Sequence, residues 1–447
     1  MTQFGCPCTG TQLVLSGAQM NPPSVHAPHH SADPIGWIAA ITAAFAALIW
    51  VRLTIPTQPF FDEIHYLPAA RTLLELSHPL NREHPPMGKE LIAAGMLLAG
   101  DNTLGWRIMS ALFGVLTLFA AMRAMWFASQ SRFATLATGV LIATGFGLFV
   151  QSRIAMLDIF MLSFAMVGIW MCAGAVRHNR SARWRLPIAG VALGFAVACK
   201  WNAAPIAMLP GLAFLVVRAH AARWRLLTSS KGAPVEGMSL IEAGLWLGLL
   251  PLVAYCAAYW PFLLYEKGSI EPTGLLALHV KMLELQEQVI KPHTYMSTWW
   301  QWVLNWRPIW YYYEVGDGAQ RGVLMIGNPL TMLAGLPAVA WCLYAGVRRG
   351  RTDALAVALL YLAALGMWII APKPVQFYYH YLLPSCFLLA ALALALDAMW
   401  RRGWRWQALG VIAGSVAMFA VFYPILSAAP LAGRGSYEFW MWLRSWR

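Results

Sequence analysis

The stretch PFFDEIHYLPAARTLLELSHPLNREHPPMGK, residues 59–89, carries the densest cluster of ionisable groups in this chain. It follows the first long apolar segment, residues 36–53. Ionisable groups beside a membrane cost free energy unless they have a role. We therefore expect residues 59–89 to form the loop that carries the chemistry of the protein.

The composition is that of a protein that crosses the membrane many times. Hydrophobic residues make up 59% of the 447 residues and charged residues 11%, and the mean hydropathy is +0.56. Apolar segments of about 20 residues, each long enough to span a bilayer as a helix, recur along the chain. The sequence predicts an all-α polytopic membrane protein with about eleven transmembrane helices, at residues 36–53, 106–128, 133–150, 155–176, 186–200, 203–217, 240–262, 322–346, 353–371, 376–396 and 407–426.

The loops between these segments predict the orientation in the membrane. Short basic loops stay on the cytoplasmic side. If the amino terminus is cytoplasmic, the basic clusters at residues 177–185, 218–231, 348–351 and 401–405 all fall on that side. The carboxyl terminus is then outside. The formal net charge of +13 is explained by this topology, and we do not expect nucleic-acid binding.

The acidic residues lie mostly in two long outer loops, at about 54–105 and 263–321. Two apolar segments of the first loop are too short to span and predict interfacial helices. We divide the chain into a disordered cytoplasmic tail (1–35), an amino-terminal catalytic transmembrane module (36–262), an outer loop (263–321) and a carboxyl-terminal transmembrane module (322–447). Cys6 and Cys8 in the tail form a weak metal-binding pattern, because no second ligand pair accompanies them.

Asp62 and Glu63 are adjacent acidic residues in the first outer loop. Successive side chains on a helix point about 100° apart, so the two carboxylates cannot face one substrate atom equally. One could act as a general base while the other holds a cation. The alternative is an ordinary acidic pair on a wet loop, which the apolar residues before the pair disfavour.

The motif EHPPMGK, residues 83–89, predicts a helix that begins just after its two prolines. His84 and Lys89 would lie near the amino terminus of that helix, where anions are favoured. A phosphate is a natural anion there. The alternative is a helix start with a surface lysine. Glu83 and His84 could hold a divalent cation, but two adjacent ligands are too few to predict a metal site.

Other outer-face residues could contact an anion. Arg153 lies where the fourth predicted span begins, and arginine recognises phosphate through a fork of donors. It could instead pair with Asp158. Lys200 and His380 are outer-face groups that could equally serve as membrane anchors. Trp299 and Trp300 begin an aromatic run that is typical of an interfacial belt. The alternative is a surface on which a sugar stacks or the acceptor binds.

The motifs FFDEIHY, HPPMGK, SRIAMLD, CKWN, HTYMSTWWQWVLNWRPIWYYY, GNPLTMLAG and FYYHYLLP resemble those of the protein O-mannosyltransferases of the GT-C superfamily. The match covers about residues 36–400 in the same order. The resemblance implies a GT-C-type helical bundle. It implies transfer of mannose, with inversion, from a polyprenyl-phosphate mannose to a Ser or Thr hydroxyl of a translocated protein.

The resemblance also implies roles for individual residues. Asp62 matches the catalytic aspartate and would be the general base. Glu63 matches the following acidic residue, which would help to bind the acceptor or position the base. Candidate contacts to the phosphate or sugar of the donor are Arg153, His84, Lys89, Lys200, Asp158 and His380, and candidate acceptor contacts are Glu63, Trp299 and Trp300.

The chain departs from the eukaryotic family pattern at the loop of residues 263–321, which has no room for their β-trefoil domain. This implies a bacterial form, located in the inner membrane, with a periplasmic active site near the secretion translocon. Two alternatives stay open. The acceptor could be a glycolipid or polysaccharide, as in aminoarabinose transfer to lipid A, or the protein could be a transporter without catalytic activity.

Overall fold

The computed structural model describes residues 32–222, 225–288, 292–371 and 373–447. The disordered tail predicted for residues 1–35, including Cys6 and Cys8, falls almost entirely outside the described residues. All eleven predicted spans fall largely within them, so the hydropathy prediction can be compared with the structure along the chain.

Apolar helices occupy every predicted span. Within the described ranges, nine helical stretches are long and apolar enough to cross a membrane, and two shorter apolar helices lie at the first and third predicted spans. The chain is therefore a helical, multi-pass membrane protein. Its helices are α1 (Ile35–Trp50), α2 (Glu63–Glu75), α3 (Met87–Ala99), α4 (Thr103–Ser129), α5 (Arg132–Ala143), α6 (Gly147–Gln151), α7 (Leu157–Arg177), α8 (Ala182–Cys199), α9 (Ala204–Ala222), α10 (Leu240–Gly244), α11 (Leu250–Ala257), α12 (Leu275–Glu287), α13 (Trp299–Val303), α14 (Pro329–Arg349), α15 (Thr352–Ile370), α16 (Leu382–Arg401) and α17 (Arg405–Leu426).

The first outer loop contains the two short helices that the sequence predicts. α2 begins at Glu63, directly after Asp62. α3 begins at Met87 with Pro86 as its N-cap residue, because the fixed φ of proline suits the start of a helix. α4 then begins after Asn102, whose side chain accepts hydrogen bonds from two backbone amides of the first turn. These starts fix where the ionisable residues of the loop lie.

α7 lies at the centre of the helical bundle, between α4 and α8. Every residue from Leu157 to Ser163 is buried, as expected for a helix that is apolar on all sides. Asp158, in the first turn of α7, is the charged residue of this buried stretch. A buried carboxylate needs a partner, so the position of α7 already calls for a cation nearby.

α8 approaches α11 and the helical turn Leu245–Leu249 just before it closely, and two glycines permit this. A Cβ atom at Gly190 would overlap the carbonyl oxygen of Trp246, and one at Gly194 would overlap that of Pro251. Small residues let membrane helices pack backbone to backbone. The contact fixes the outer end of α8, which ends at Cys199, immediately before Lys200.

A β-hairpin in the second outer loop departs from the predicted all-helical pattern. β1 (Ile309–Gly316) pairs antiparallel with β2 (Ala319–Met325), with a register shift between Trp310 and Tyr312. Asp317 and Gly318 form the two-residue turn with positive φ angles, as hairpin turns of this length require. The eighth predicted span therefore begins too early, because residues 322–325 belong to β2 and α14 begins at Pro329.

Candidate active site

Asp62 lies at the start of α2, at the end of a backbone turn that the surrounding aromatic residues hold in place. Phe61 has a φ of +53°, which is unusual for a bulky residue. Its ring stacks on Tyr311 of β1 at 4.1 Å between centroids and contacts the edge of Tyr379 at 5.8 Å. The hairpin that the sequence did not predict thus positions the backbone that carries Asp62.

The carboxylate of Asp62 is unpaired. Within the described ranges it makes no hydrogen bond and does not cap α2. Burial raises its pKa from 3.8 to about 6, Lys200 opposes the rise and Asp158 adds to it. A carboxylate with a pKa near the working pH and no partner is suited to accept a proton.

Glu63 occupies a different environment. It is 0% exposed and forms a two-pronged ion pair with Arg107 at 2.8 Å for each contact. It also accepts hydrogen bonds from the backbone amides of Phe60 at 3.2 Å and Ala155 at 3.0 Å. Both oxygens are therefore engaged, and the predicted direct contact between Glu63 and an acceptor does not agree with this geometry. Because successive side chains on a helix point about 100° apart, Glu63 points into the bundle in a different direction from Asp62.

Arg107 is a functional-site neighbour that the sequence reasoning missed. It is fully buried in α4 and also donates to the backbone carbonyls of Leu53, Pro56 and Gln58. It thereby ties the turn before Asp62 to the bundle. The available signal was an arginine within an apolar span, which by default marks a role.

Lys200 and Asp158 form a second buried ion pair. The ammonium of Lys200 lies 2.8 and 2.9 Å from the two carboxylate oxygens of Asp158, and both residues are buried. The same ammonium lies 4.8 Å from the centre of the Tyr379 ring. Asp158 therefore pairs with Lys200 and not with Arg153. The ring of Tyr379 contacts Phe61, the residue before Asp62, as well as Lys200, so this ion pair and Asp62 share an aromatic neighbour, and both charges act on the pKa of Asp62.

Two residues that the sequence predicts to contact phosphate, Arg153 and Lys89, donate to backbone carbonyls. Arg153 donates to the carbonyl oxygens of Ile49, Val51, Arg52 and Ser427. Lys89 donates to those of Asn81 at 2.6 Å and His84 at 2.9 Å. A buried cation whose donors serve the backbone stabilises loops. The structure therefore does not support the expectation that Arg153 and Lys89 meet Asp62 in one open cavity.

The two predicted histidines differ. The ring of His84 packs against Tyr66, and burial together with the charges of Lys200 and Lys373 lowers its pKa well below its ordinary value. His380 is fully buried against Trp368, at 4.0 Å between ring centres. Its Nδ1 accepts a hydrogen bond from the backbone amide of Phe377 at 3.0 Å. The charges of Lys200 and Lys373 act on His380 as well, so both histidines lie near the cations of the site.

Three tyrosines lie close to the turn that carries Asp62: Tyr66 is one helical turn further along α2, and Tyr311 and Tyr379 contact Phe61. Tyr66, Tyr311 and Tyr379 are all buried, and Asp62 raises the pKa of Tyr66 and Tyr311, for which burial is the larger cause. Their hydroxyls therefore stay protonated. The hydroxyl of Tyr311 accepts a hydrogen bond from Gln151 at 2.7 Å. Aromatic faces with polar edges form a wall suited to a sugar ring.

The predicted acceptor contacts lie at the start of α13. Trp300 is 45% exposed, and a capping box formed by Thr298 and Gln301 fixes the helix start. Among the residues that the structure describes, no hydrogen bond, ion pair or ring contact joins Trp299 or Trp300 to Asp62, so their role stays a prediction. Within the described part of the chain, no group of three His, Cys, Asp or Glu side chains could hold a metal ion.

An apolar cavity of about 620 Å³ lies between α4, α5, α7, α9, α15 and α16. Its lining includes Ala173, Phe214 and Phe387, and it reaches Arg177 and Thr352. Arg177 ends α7, whereas Asp158 begins it. The cavity therefore lies below the site and extends towards the opposite end of the bundle.

Two models of one family together match most of the chain. The model described as dolichyl-phosphate-mannose-protein mannosyltransferase matches residues 97–264. The model described as the C-terminal four TMM region of protein-O-mannosyltransferase matches residues 273–446. The chain belongs to the protein O-mannosyltransferase family. The resemblance found in the sequence motifs is confirmed, and the chain is a membrane glycosyltransferase of this type.

Similar proteins match almost the whole chain. A polyprenol-phosphate-mannose–protein mannosyltransferase of Mycolicibacterium smegmatis is 28% identical over 97% of this chain and 97% of its own length. A protein of the same name from Corynebacterium glutamicum is 27% identical over 93% and 94%.

Solved structures match the fold. The Pmt1-Pmt2 complex of S. cerevisiae bound to the sugar donor matches with a TM-score of 0.76 at 13% identity, covering 92% of each chain. ArnT of Cupriavidus metallidurans bound to undecaprenyl phosphate matches with a TM-score of 0.59 at 18% identity, covering 88% of this chain and 66% of its own. The expected GT-C fold is confirmed.

Proposed function

We propose that this protein transfers mannose from a polyprenyl-phosphate mannose to Ser or Thr hydroxyls of secreted or membrane proteins. The observation that carries the proposal is the carboxylate of Asp62, which is partly buried, has no hydrogen-bond partner within the described residues, and follows Phe61, whose ring contacts Tyr311 and Tyr379. Membership of the protein O-mannosyltransferase family and the names of the bacterial relatives support the donor and the acceptor class.

The reaction follows from these groups. The hydroxyl oxygen of the acceptor attacks C1 of mannose while Asp62 takes the hydroxyl proton. The bond between C1 and the phosphate oxygen breaks, and polyprenyl phosphate leaves with one more negative charge. Attack and departure on opposite sides of C1 invert its configuration. Lys200, with its charge held in place by Asp158, lies where it can stabilise the charge that develops on the phosphate.

Other predicted residues support this site in different ways. Glu63 acts as a positioning residue, because its pair with Arg107 ties α2 to α4 next to Asp62. Lys89 and Arg153 hold loops, and His84 lies near the phosphate site as a neutral imidazole. The exposed Trp300 and its neighbour Trp299 contact the acceptor protein in this proposal.

The apolar cavity provides a place for the lipid part of the donor. A polyprenyl chain is apolar, and within the membrane an apolar lining can hold it through van der Waals packing. The cavity lies between α9 and α15, and α9 begins four residues after Lys200. A phosphate beside Lys200 would therefore place the attached chain directly above the cavity.

The proposed orientation puts the site on the outer face of the inner membrane. The basic clusters at residues 177–185, 348–351 and 401–405 follow the ends of α7, α14 and α16, opposite the end of α7 that carries Asp158. Basic loops face the cytoplasm. The amino terminus would then be cytoplasmic and the carboxyl terminus periplasmic, where acceptors emerge from the translocon.

We assign the parts of the chain accordingly. Residues 36–262 form the catalytic transmembrane module, because they supply Asp62, Asp158 and Lys200. Residues 263–321 form the outer loop, although β2 extends its hairpin to Met325. Residues 322–447 form the carboxyl-terminal module, which contributes Tyr379 to the site.

The test uses the purified full chain and radiolabelled polyprenyl-phosphate mannose. We expect the wild type to label a Ser/Thr-rich peptide and Asp62→Asn to bind the donor without transferring the sugar. Transfer only to a glycolipid or polysaccharide would replace the protein acceptor. Equal transfer by both proteins would remove Asp62 as the base. Binding without any transfer by the wild type would favour a carrier function.

A further inference from the structure

The loop between α15 and α16 carries a lysine, Lys373, for which neither the family motifs nor the reaction above supplies a role. Hydrogen bonds that involve backbone groups hold this loop in place. The carbonyl of Gln376 accepts a hydrogen bond from the amide of Ser297 at 2.8 Å, and the amide of Phe377 donates to His380. The side chain of Gln376 donates to the carbonyl of Lys373 at 3.2 Å. The same loop ends in Tyr379, whose ring contacts Phe61 at 5.8 Å and lies 4.8 Å from the ammonium of Lys200, so the loop that carries Lys373 borders the site.

Lys373 differs from the other cations near Asp62. Arg107 and Lys200 are paired with carboxylates, and Lys89 and Arg153 donate to carbonyls. Within the described residues, the ammonium of Lys373 makes no hydrogen bond and no ion pair, although the residue is half-buried. A half-buried charge without a partner costs free energy, so a ligand is the natural partner.

The neighbours of Lys373 define the chemistry of that ligand. Its charge acts on Asp62 and on His84. Burial and the charge of Lys200 lower its own pKa to about 8, while Asp158, Asp62 and Glu83 oppose the fall. Lys200 forms an ion pair with Asp158, and its charge still acts on Lys373. Two lysines held close together repel each other unless an anion lies between them.

We propose that Lys373 binds the phosphate of the polyprenyl-phosphate donor together with Lys200, so that the loop between α15 and α16 completes the donor site. This inference rests on the proposed function and adds a residue to it. During transfer the phosphodiester, with one negative charge, becomes a phosphate monoester with two. Lys373 therefore binds the departing phosphate more strongly than the donor, which lowers the barrier and not only the KM.

The experiment compares Lys373→Met and Lys373→Arg with the wild type, all as full chains in lipid nanodiscs. Lys281→Met is the matched control. Lys281 is an exposed lysine in the loop of residues 263–321, and its ammonium pairs with Glu284 at 2.9 Å. The measurements are the kcat and KM for polyprenyl-phosphate mannose. They also include the affinities for that donor and for undecaprenyl phosphate.

We expect Lys373→Met to lower kcat/KM by about 100-fold, the usual effect of losing one group that stabilises a developing anion. Its affinity for undecaprenyl phosphate should fall more than its affinity for the mannosylated donor. Lys373→Arg should keep most of the activity, which separates loss of the cation from misfolding. Lys281→Met should match the wild type.

Unchanged lipid affinities and kcat in Lys373→Met would overturn the proposal, as would a loss confined to the KM of the peptide. An equal loss in Lys373→Arg with normal lipid binding would also overturn it. If the wild type transfers no mannose to the peptide, the proposed acceptor fails independently. Undecaprenyl phosphate binding by Lys373→Met then still decides the role of the lysine.

Discussion

The adjacent carboxylates of Asp62 and Glu63 should respond to amide substitution with opposite changes in stability. Burial raises the pKa of Asp62 from 3.8 to about 6, so ionising this carboxylate in the folded protein costs free energy. Each pKa unit corresponds to about 1.4 kcal/mol, which gives a cost of about 3 kcal/mol above pH 6. Asp62→Asn removes the cost. We expect its free energy of unfolding at pH 7.5 to exceed that of the wild type by up to this amount.

Glu63→Gln is the matched variant at the next position. Glu63 and Arg107 both have side chains that are 0% exposed. Removing one charge leaves the guanidinium buried without its counter-ion, which typically costs about 3–5 kcal/mol. We therefore expect Glu63→Gln to lower the free energy of unfolding. Transfer should be lost in Asp62→Asn despite its greater stability, because the base is missing.

The stability difference between Asp62→Asn and the wild type has a definite pH dependence. The folded pKa of Asp62 lies above its unfolded value, so the protonated form favours folding. The penalty is absent below about pH 4, grows between about pH 4 and pH 6, and is complete above pH 6. Thermal unfolding in nanodiscs across this range measures the difference. The reasoning would be refuted if the stability difference between Asp62→Asn and the wild type did not change with pH. It would also be refuted if Asp62→Asn were as unstable as Glu63→Gln.

Three further outcomes are expected. The kcat/KM for transfer should fall about tenfold from pH 7 to pH 5, because Asp62 with a pKa of about 6 must be ionised to act as a base; a flat profile would contradict this. Ala173→Phe, which narrows the apolar cavity, should raise the KM for the donor without changing that for the peptide. Lys89→Met should lower the free energy of unfolding by about 1–3 kcal/mol, because two buried carbonyls lose their donor; unaltered thermal unfolding would show that the turn holds without it.

The helical spans could be predicted because the bilayer acts on the sequence locally. A segment of about 20 apolar residues forms a helix in lipid whatever its neighbours do. The start of α3 was also predictable, since Pro86 carries its own backbone preference. The hairpin of β1 and β2 was not, because its aromatic residues suit an interfacial belt as well as a strand, and only pairing decides between them.

The sequence by itself determined the class of the protein, the order of its helices and the presence of Asp62 in the loop that follows the first apolar helix. Only the tertiary structure decided which charged groups remain available to a substrate. Arg153, Lys200 and Lys373 are equivalent as outer-face cations in the sequence. In the fold, Arg153 binds four carbonyls, Lys200 binds Asp158, and Lys373 has no partner among the described residues. The physical reason is that a buried charge takes the partner that packing brings to it, and that partner is usually distant in the chain.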